Sequence, residues 1–397
     1  MAQLSDRLNR LAPSATLAMS QKSNEMKAQG VDVINMSVGE PDFNTPDHIK
    51  EAGKKAIDDN FSKYSPVPGY MDLREAIVEK LKKENGLDYT TNEVIAGTGG
   101  KQGVCNTILA LVNPGDEVII PAPYWVSYPQ MAKLAGATPV IVRAGFEQDF
   151  KMTAEQLEAA ITPKTKMLIL CSPSNPTGSV YSQEELNALA EVILKHEDIF
   201  VLSDEIYEHI NYVGKAASIA SYPGMKERTI ICNGVSKAYA MTGWRLGWVA
   251  APAWIVKGIN KLQGQYTSGT CDVSQKAAVA AYVASQDCVE QMRVAFERRR
   301  DLIVKLAKDI PGLEVNVPQG AFYLFPKCSS FFGKSDGETV INNSTDFAMY
   351  ILEKAHVATV GGDAFGEPDC FRMSYATSDD NIREAMRRIK ETLAKLK

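Results

Sequence analysis

A lysine at the end of an apolar strand is the side chain in this sequence with the most chemical promise. Lys237 follows the run "RTIICNGVS" and stands in "NGVSKAYAMTGWRLGW" (233–248), with Ser236 before it and Arg245 eight positions after. A lysine kept out of water gives up its proton more readily, and the free amine can attack a carbonyl carbon to form an imine. Most lysines sit on surface loops, so the reading leans on what else the chain carries. Asp204 ends a second apolar run in "LSDEIYEHI" (202–210), where a carboxylate is costly to bury unless a cation faces it. Tyr207, three positions on, reaches the same partner if the chain turns helically there. Taken alone, Asp204 also suits a helix cap.

Four further segments add to this pair. In "CSPSNPTGSVYS" (171–182), Asn175, Pro176 and Gly178 force a turn at a sheet edge, and the Asn175 amide can donate to a ring oxygen or simply serve the turn. In "AGTGGKQGV" (96–104), Gly99 and Gly100 end a strand and open a helix, and the backbone N–H groups of such a helix start bind phosphate. Trp125 in "PYWVSYP" can cover a planar ring or belong to the core. Arg372 in "FRMSYATS" lies among apolar strand residues, an awkward place for a permanent cation unless it grips a carboxylate. An imine-forming lysine, an anion for a protonated ring nitrogen, donors for a ring oxygen and a phosphate site together suit pyridoxal 5'-phosphate.

These residues need a scaffold that delivers them to one place. Seven short runs read as strands: 92–99, 116–123, 138–144, 166–173, 198–205, 228–236 and 244–252. Most are apolar at consecutive positions, as strands covered on both faces are. Helix-period segments lie between them; "SQEELNALAEVILKH" opens with Ser182 and Glu185, three apart, a capping box. The alternation predicts an α/β fold with a mainly parallel seven-stranded sheet. Beyond residue 271 a long helical region ends at Pro311-Gly312, and "LEVNVP", "AFYLFP" and "CFRMSYAT" read as short strands of a smaller α+β domain. The expected division is 1–45 as an N-terminal segment packing with the small domain, 46–300 as the large cofactor-binding domain and 301–397 as the small C-terminal domain. The stretch 328–346 reads as a polar, mobile loop.

Composition excludes several classes. The 397 residues are 45% hydrophobic, enough for a large core, and carry a net charge of −5 from 43 basic and 48 acidic side chains. That balance speaks against nucleic acid as a partner. No apolar run is long enough for a membrane span, and the first residues lack a secretory pattern. Seven Cys with no C-x-x-C spacing argue against disulfides and against a structural metal site; all are expected in the core of a reduced, cytoplasmic protein. The glycine fingerprints of dinucleotide-binding folds and P-loops are absent, which disfavours a nicotinamide-dependent oxidoreductase.

In this order, "GEPDF", "PYWVSYP", "SNPTG", "SDEIYEH", "SKAYAMTGWR" and "RMSYATS" resemble the class-I aminotransferases of pyridoxal-phosphate fold type I, over essentially the whole chain. The likeness is strongest to aspartate aminotransferases of the bacterial and plastid type, including the aspartate/prephenate subgroup. It implies that Lys237 holds the cofactor as a Schiff base and shuttles the substrate proton. It further implies that Asp204 pairs with the pyridine nitrogen, that Tyr207 and Asn175 serve the ring oxygen and that Trp125 stacks on the ring. The phosphate falls to Gly99, Gly100, Lys101, Ser236 and Arg245, with Tyr64 of "KYSPVPGY" reaching it from a second subunit of a homodimer. Arg372, the Gly39 backbone, Trp125 and Asn175 serve the amino-acid or 2-oxo-acid substrate.

There is one departure. Where other aspartate aminotransferases carry an arginine for the distal carboxylate, this chain aligns Gln263; the subgroup uses a lysine matching Lys101 with residues matching Ser14 and Thr16, all present. The expected reaction is amino transfer between L-aspartate and 2-oxoglutarate, with prephenate a further acceptor. The alternatives are an aminotransferase for aromatic or other amino acids, a C–S lyase of the same fold, and a non-catalytic binding module.

Overall fold

The structure, a computed structural model, describes residues 4–397. All seven expected strands form, as β1 (Val94–Gly97), β2 (Glu117–Ala122), β3 (Thr138–Arg143), β4 (Thr165–Cys171), β5 (Phe200–Asp204), β6 (Thr229–Gly234) and β7 (Gly247–Ala250). They make one sheet in the order β1-β7-β6-β5-β4-β2-β3. Every pairing is parallel except those of β7, which runs antiparallel to both neighbours. Since β7 is the one reversed strand, β1 ends on the same edge as β4, β5 and β6.

Consecutive apolar positions work here because the pleat sends them to opposite faces, and both faces are covered. Val118, Ile120, Met167, Ile169 and Leu202 bury on one side with Val104 and Ile108 of the helix Gly99–Leu111. Ile119, Leu168, Leu170 and Val201 bury on the other with Leu186, Leu189 and Ile193. Those last three belong to the helix Gln183–Leu194, whose start is the predicted capping box: Ser182 Oγ accepts from the Glu185 N–H, and Glu185 Oε2 accepts from the Ser182 N–H. The strands are held from both sides, so their ends are fixed points.

A second, smaller sheet lies in the C-terminal part: β8 (Tyr323–Leu324), β9 (Val360–Gly361) and β10 (Phe371–Ser374), antiparallel in the order β9-β10-β8. Ile34 and Met36 join Phe296, Phe322, Phe347, Phe371 and Ile389 in one buried cluster around it. Ile34–Asn35 also pairs in parallel with Val357–Ala358. The 22-residue helix Asp287–Lys308 is unbroken, with Val289 in a cluster that includes strand residues of the large sheet and Phe296, Ile303 and Val304 in the cluster around the small one.

Three expectations are corrected. "LEVNVP" forms no strand, only a single bridge from Glu314 to Lys327, and Val360–Gly361 takes the third place in the small sheet. The region 328–346 is tied down in part: Ile341 is buried and its N–H donates to Lys334 O. The thiols are all free, but only Cys232, Cys328 and Cys370 are buried; Cys105, Cys171 and Cys288 are half-buried, and Cys271, just before the helix Asp272–Val283, is exposed. Among the described residues no helix is long and apolar enough to cross a membrane.

Candidate active site

The loops leaving the C-terminal ends of the parallel strands surround a cavity of about 320 Å³. In open α/β sheets this edge is where ligands bind. Lys237, Asp204, Tyr207, Asn175, Trp125, Ser236, Arg245, Gly100, Lys101, Gly39, Arg372, Ser14 and Thr16 all line it. Of the residues singled out in the sequence, Gly99 lies just beneath the wall, against Arg245, and Tyr64 is fully exposed and does not line the cavity. A larger cleft of about 610 Å³ beside Lys151 and Lys215 is a surface groove without this convergence.

At the centre, Lys237 Nζ donates to the Gly39 carbonyl at 2.6 Å. Burial pushes its pKa down to about 8, the charges of Arg372 and Arg245 adding to the effect and Glu40 opposing it. The amine is therefore a usable nucleophile and base near neutral pH. Asp204, 6% exposed, is raised above the usual carboxylate range by burial, although Tyr128 Oη donates to its Oδ2 at 2.6 Å and the Ile206 N–H to its Oδ1 at 3.3 Å. Among the described residues no cation pairs with it, so the carboxylate faces the cavity still lacking its counter-charge. Tyr207 Oη lies 2.7 Å from Tyr323 Oη, both rings buried.

The phosphate-type cradle is built by glycines. Gly97, Gly247 and Gly234 lie in one row across β1, β7 and β6. A Cβ on Gly247 would strike the backbone of Gly99 and Gly100, so the bare strand is what lets this helix start settle onto the sheet. Arg245 sits beside it in the left-handed region (φ 53°), a conformation costly for a non-glycine residue and kept where function requires it. Its Nη1 donates to Thr242 O at 2.8 Å. Lys101, two residues into the helix, holds its ammonium 4.9 Å from the Trp125 ring centre, with its pKa lowered by burial and by Arg245.

Arg372, on β10, is 2% exposed and stacked between the rings of Tyr323 and Phe365 at 4.7 and 4.9 Å. Its Nη1 donates to Asn175 Oδ1 at 2.8 Å and its Nη2 to Ser37 O at 2.6 Å, while Nε–H is buried without a partner. Among the described residues it has no carboxylate partner. A buried guanidinium with donors to spare is a site for an anion. Gln263, by contrast, is buried in its own chain, donating to Val67 O and Ala96 O and accepting from Asn106.

These residues fit pyridoxal phosphate: an unpaired buried carboxylate, a bare helix start beside an arginine, and a desolvated lysine share one cavity. The sequence profile of the family described as aminotransferase class I and II matches residues 31–389. The chain belongs to that family. This aminotransferase is 49% identical to the aspartate/prephenate aminotransferase of Cereibacter sphaeroides over all of both chains. It is also 49% identical to a bifunctional aspartate aminotransferase and glutamate/aspartate-prephenate aminotransferase of Petunia hybrida, covering 99% of this chain and 83% of that one. Among solved structures it is similar to an aspartate aminotransferase from Rhizobium meliloti (TM-score 0.97, 42% identity, 100% of both chains). It is likewise similar to the Thermus thermophilus aspartate aminotransferase with maleate (TM-score 0.93, 40% identity, 99% of this chain and 100% of that one). The aminotransferase has the expected fold and works with pyridoxal phosphate, exchanging amino groups between amino and 2-oxo acids.

Sequence reading missed four groups at this aminotransferase's site. Tyr128, the partner of Asp204, stands three positions after Trp125 at the start of the helix Tyr128–Leu134, and its ring meets Trp125 edge-on at 5.3 Å. Tyr323 and the Ser37 carbonyl come from segments with no local sign of function. Glu40 accepts from Thr242 Oγ1 at 2.7 Å and lines the cavity. Only Tyr128 was within reach, as a polar aromatic one helical turn from a residue already suspected.

Proposed function

We propose that this aminotransferase acts on L-aspartate and 2-oxoglutarate, giving oxaloacetate and L-glutamate, and that prephenate is a further acceptor. The observation that carries the reading is that, besides Lys237 and Arg245, the cavity is lined by Arg372, buried without a counter-ion, and by the more exposed Lys101 together with Ser14 and Thr16. A substrate with two carboxylates satisfies both. The names and the identity of the relatives support the same choice.

In this reading Arg372 binds the α-carboxylate with the N–H groups that Asn175 and Ser37 leave free. Lys101, Ser14 and Thr16 bind the distal carboxylate. When bound, pyridoxal phosphate supplies an electron-poor ring that stabilises negative charge on the substrate α-carbon. Asp204, held by Tyr128, keeps a proton on the ring nitrogen. Tyr207 and Asn175 donate to the ring oxygen, and Trp125 covers the ring. The phosphate rests on Gly99, Gly100, Ser236 and Arg245. Lys237 Nζ would take the proton from the substrate α-carbon and hold it for the reverse transfer, a role its lowered pKa suits.

The exposed Tyr64 is read as a contribution to the second subunit's site in a homodimer. Residues 1–45 with 301–397 are read as a unit distinct from 46–300, and the free thiols suit a reducing, cytoplasmic setting. A coupled assay over aspartate, glutamate, alanine and phenylalanine, with 2-oxoglutarate, oxaloacetate and prephenate as acceptors, tests the substrate assignment. Highest kcat/KM for the aspartate–2-oxoglutarate pair is expected; a preference for neutral or aromatic donors would overturn it.

A further inference from the structure

We propose that Tyr323 is a positioning residue for amino transfer, acting through the hydroxyl of Tyr207; the inference rests on the reading that Tyr207 faces the cofactor ring oxygen.

Tyr323 stands on β8, where its backbone pairs with Ser374 of the strand that carries Arg372. Three elements of the site converge on it. Its ring lies under the Arg372 guanidinium at 4.7 Å. Its hydroxyl meets Tyr207 Oη at 2.7 Å. The same hydroxyl presses against Gly39, whose carbonyl holds Lys237; a Cβ there would lie 3.1 Å from Tyr323 Cζ and closer still to Oη. Gly39 therefore leaves the space that the hydroxyl occupies.

Counting protons gives the direction. Two buried phenols bring two O–H groups, and the only hydrogen bond either makes among the described residues is the one they share. That bond uses one hydrogen and leaves one to donate elsewhere. Both tyrosines line the cavity, so the remaining donor is available to a ligand in it. If Tyr207 gives its hydrogen to the ring oxygen, its own oxygen must accept from Tyr323. A chain of this kind polarises each member, so Tyr323 makes Tyr207 a stronger donor and favours the anionic form of what Tyr207 touches. Burial raises the pKa of the Tyr323 phenol above its ordinary value, and the Arg372 charge beside the ring opposes that rise, which helps the hydroxyl act as a donor. Tyr323 thereby links the arginine that grips the substrate to the hydroxyl that serves the cofactor.

The test is a pH titration of the bound cofactor's absorbance in four holoenzymes: unaltered, Tyr323→Phe, Tyr207→Phe and the double variant. Tyr323→Phe keeps the ring under Arg372 and removes only the hydroxyl, and its Tm confirms an intact fold. Loss of one neutral hydrogen bond corresponds to about a three- to tenfold change in the proton-dissociation constant, so the midpoint should rise by roughly half to one pH unit. Tyr207→Phe should raise it further, and the double variant should match Tyr207→Phe alone. An unmoved midpoint in Tyr323→Phe, or a shift that persists in full when Tyr207 is already Phe, would overturn the proposal while leaving Tyr207's own role standing. An unmoved midpoint in Tyr207→Phe would remove that role, and this proposal with it.

Discussion

Replacing Arg372 with Lys keeps the charge but removes the planar fork, and the structure sets the size of the effect. The guanidinium has five N–H donors. Two go to Asn175 Oδ1 and Ser37 O, leaving three, one of them the buried Nε–H. A lysine ammonium has three. If it serves the same two acceptors, one remains, and a bound carboxylate loses one of its two charge-assisted bonds. Each such bond is worth about 1.5–3 kcal/mol, so kcat/KM should fall roughly 10- to 150-fold. Every amino acid carries the α-carboxylate, so the factor should be common to aspartate, glutamate and alanine. Single-turnover half-reactions, followed through the bound cofactor's absorbance, give the constants without the second substrate. A fall of less than about threefold, or one confined to dicarboxylates, would refute the assignment of Arg372 to the α-carboxylate.

Lys237→Ala should lower turnover by on the order of 10⁴-fold, since the proton shuttle is lost. In the unaltered apoprotein the Lys237 amine is charged below its depressed pKa and neutral above it. The rate of cofactor reloading should therefore climb with pH through about 8, and a midpoint near the ordinary lysine value would show that burial is not what activates it. Asp204→Asn preserves shape and leaves a buried cation unpaired once cofactor is bound, a loss of about 3–5 kcal/mol; kcat should drop at least about 100-fold with cofactor retained, and an unchanged absorbance spectrum and rate would reduce Asp204 to the acceptor of the Ile206 N–H in a turn. Lys101→Ala should cut kcat/KM for dicarboxylates by roughly 10- to 150-fold and spare alanine, whereas a uniform loss across donors would mean that it serves the phosphate turn. Sedimentation at working concentrations should show a dimer, and full activity in a monomer would contradict the role given to Tyr64.

What could be read in advance follows from the range of the interactions. Most strands of the large sheet announce themselves locally, because two-sided burial makes several neighbours apolar at once, as in Met167–Leu170; the edge strand Thr138–Arg143 has no buried residue. Lys237, Asp204 and Arg372 were visible for the opposite reason: each puts a charge where such a run leaves no room for one. Tyr323 and Ser37 act through contacts with residues far away in the sequence, and nothing in "AFYLFP" marks one aromatic as the neighbour of Tyr207. The N-terminal helix Ala15–Ala28 was also missed. Only Ser23 in it is buried, so it lacks the apolar stripe that betrays a packed helix.

The place of β7 bears on how this chain comes to hold its cofactor during synthesis. Among the described residues β1 pairs with no strand but β7, and β7 lies about 150 residues further along the chain. Until Gly247–Ala250 emerges, Val94–Gly97 has no strand to pair with, and the turn at Gly99 and Gly100 has no complete glycine row to rest on. Pairing over such a separation is slow, and a waiting apolar strand is open to wrong partners. A nascent chain cut short before Arg245 would carry Asp204 and Lys237 yet lack Arg245 and Gly247 of the cradle, so anion capture marks the moment when the two distant strands meet.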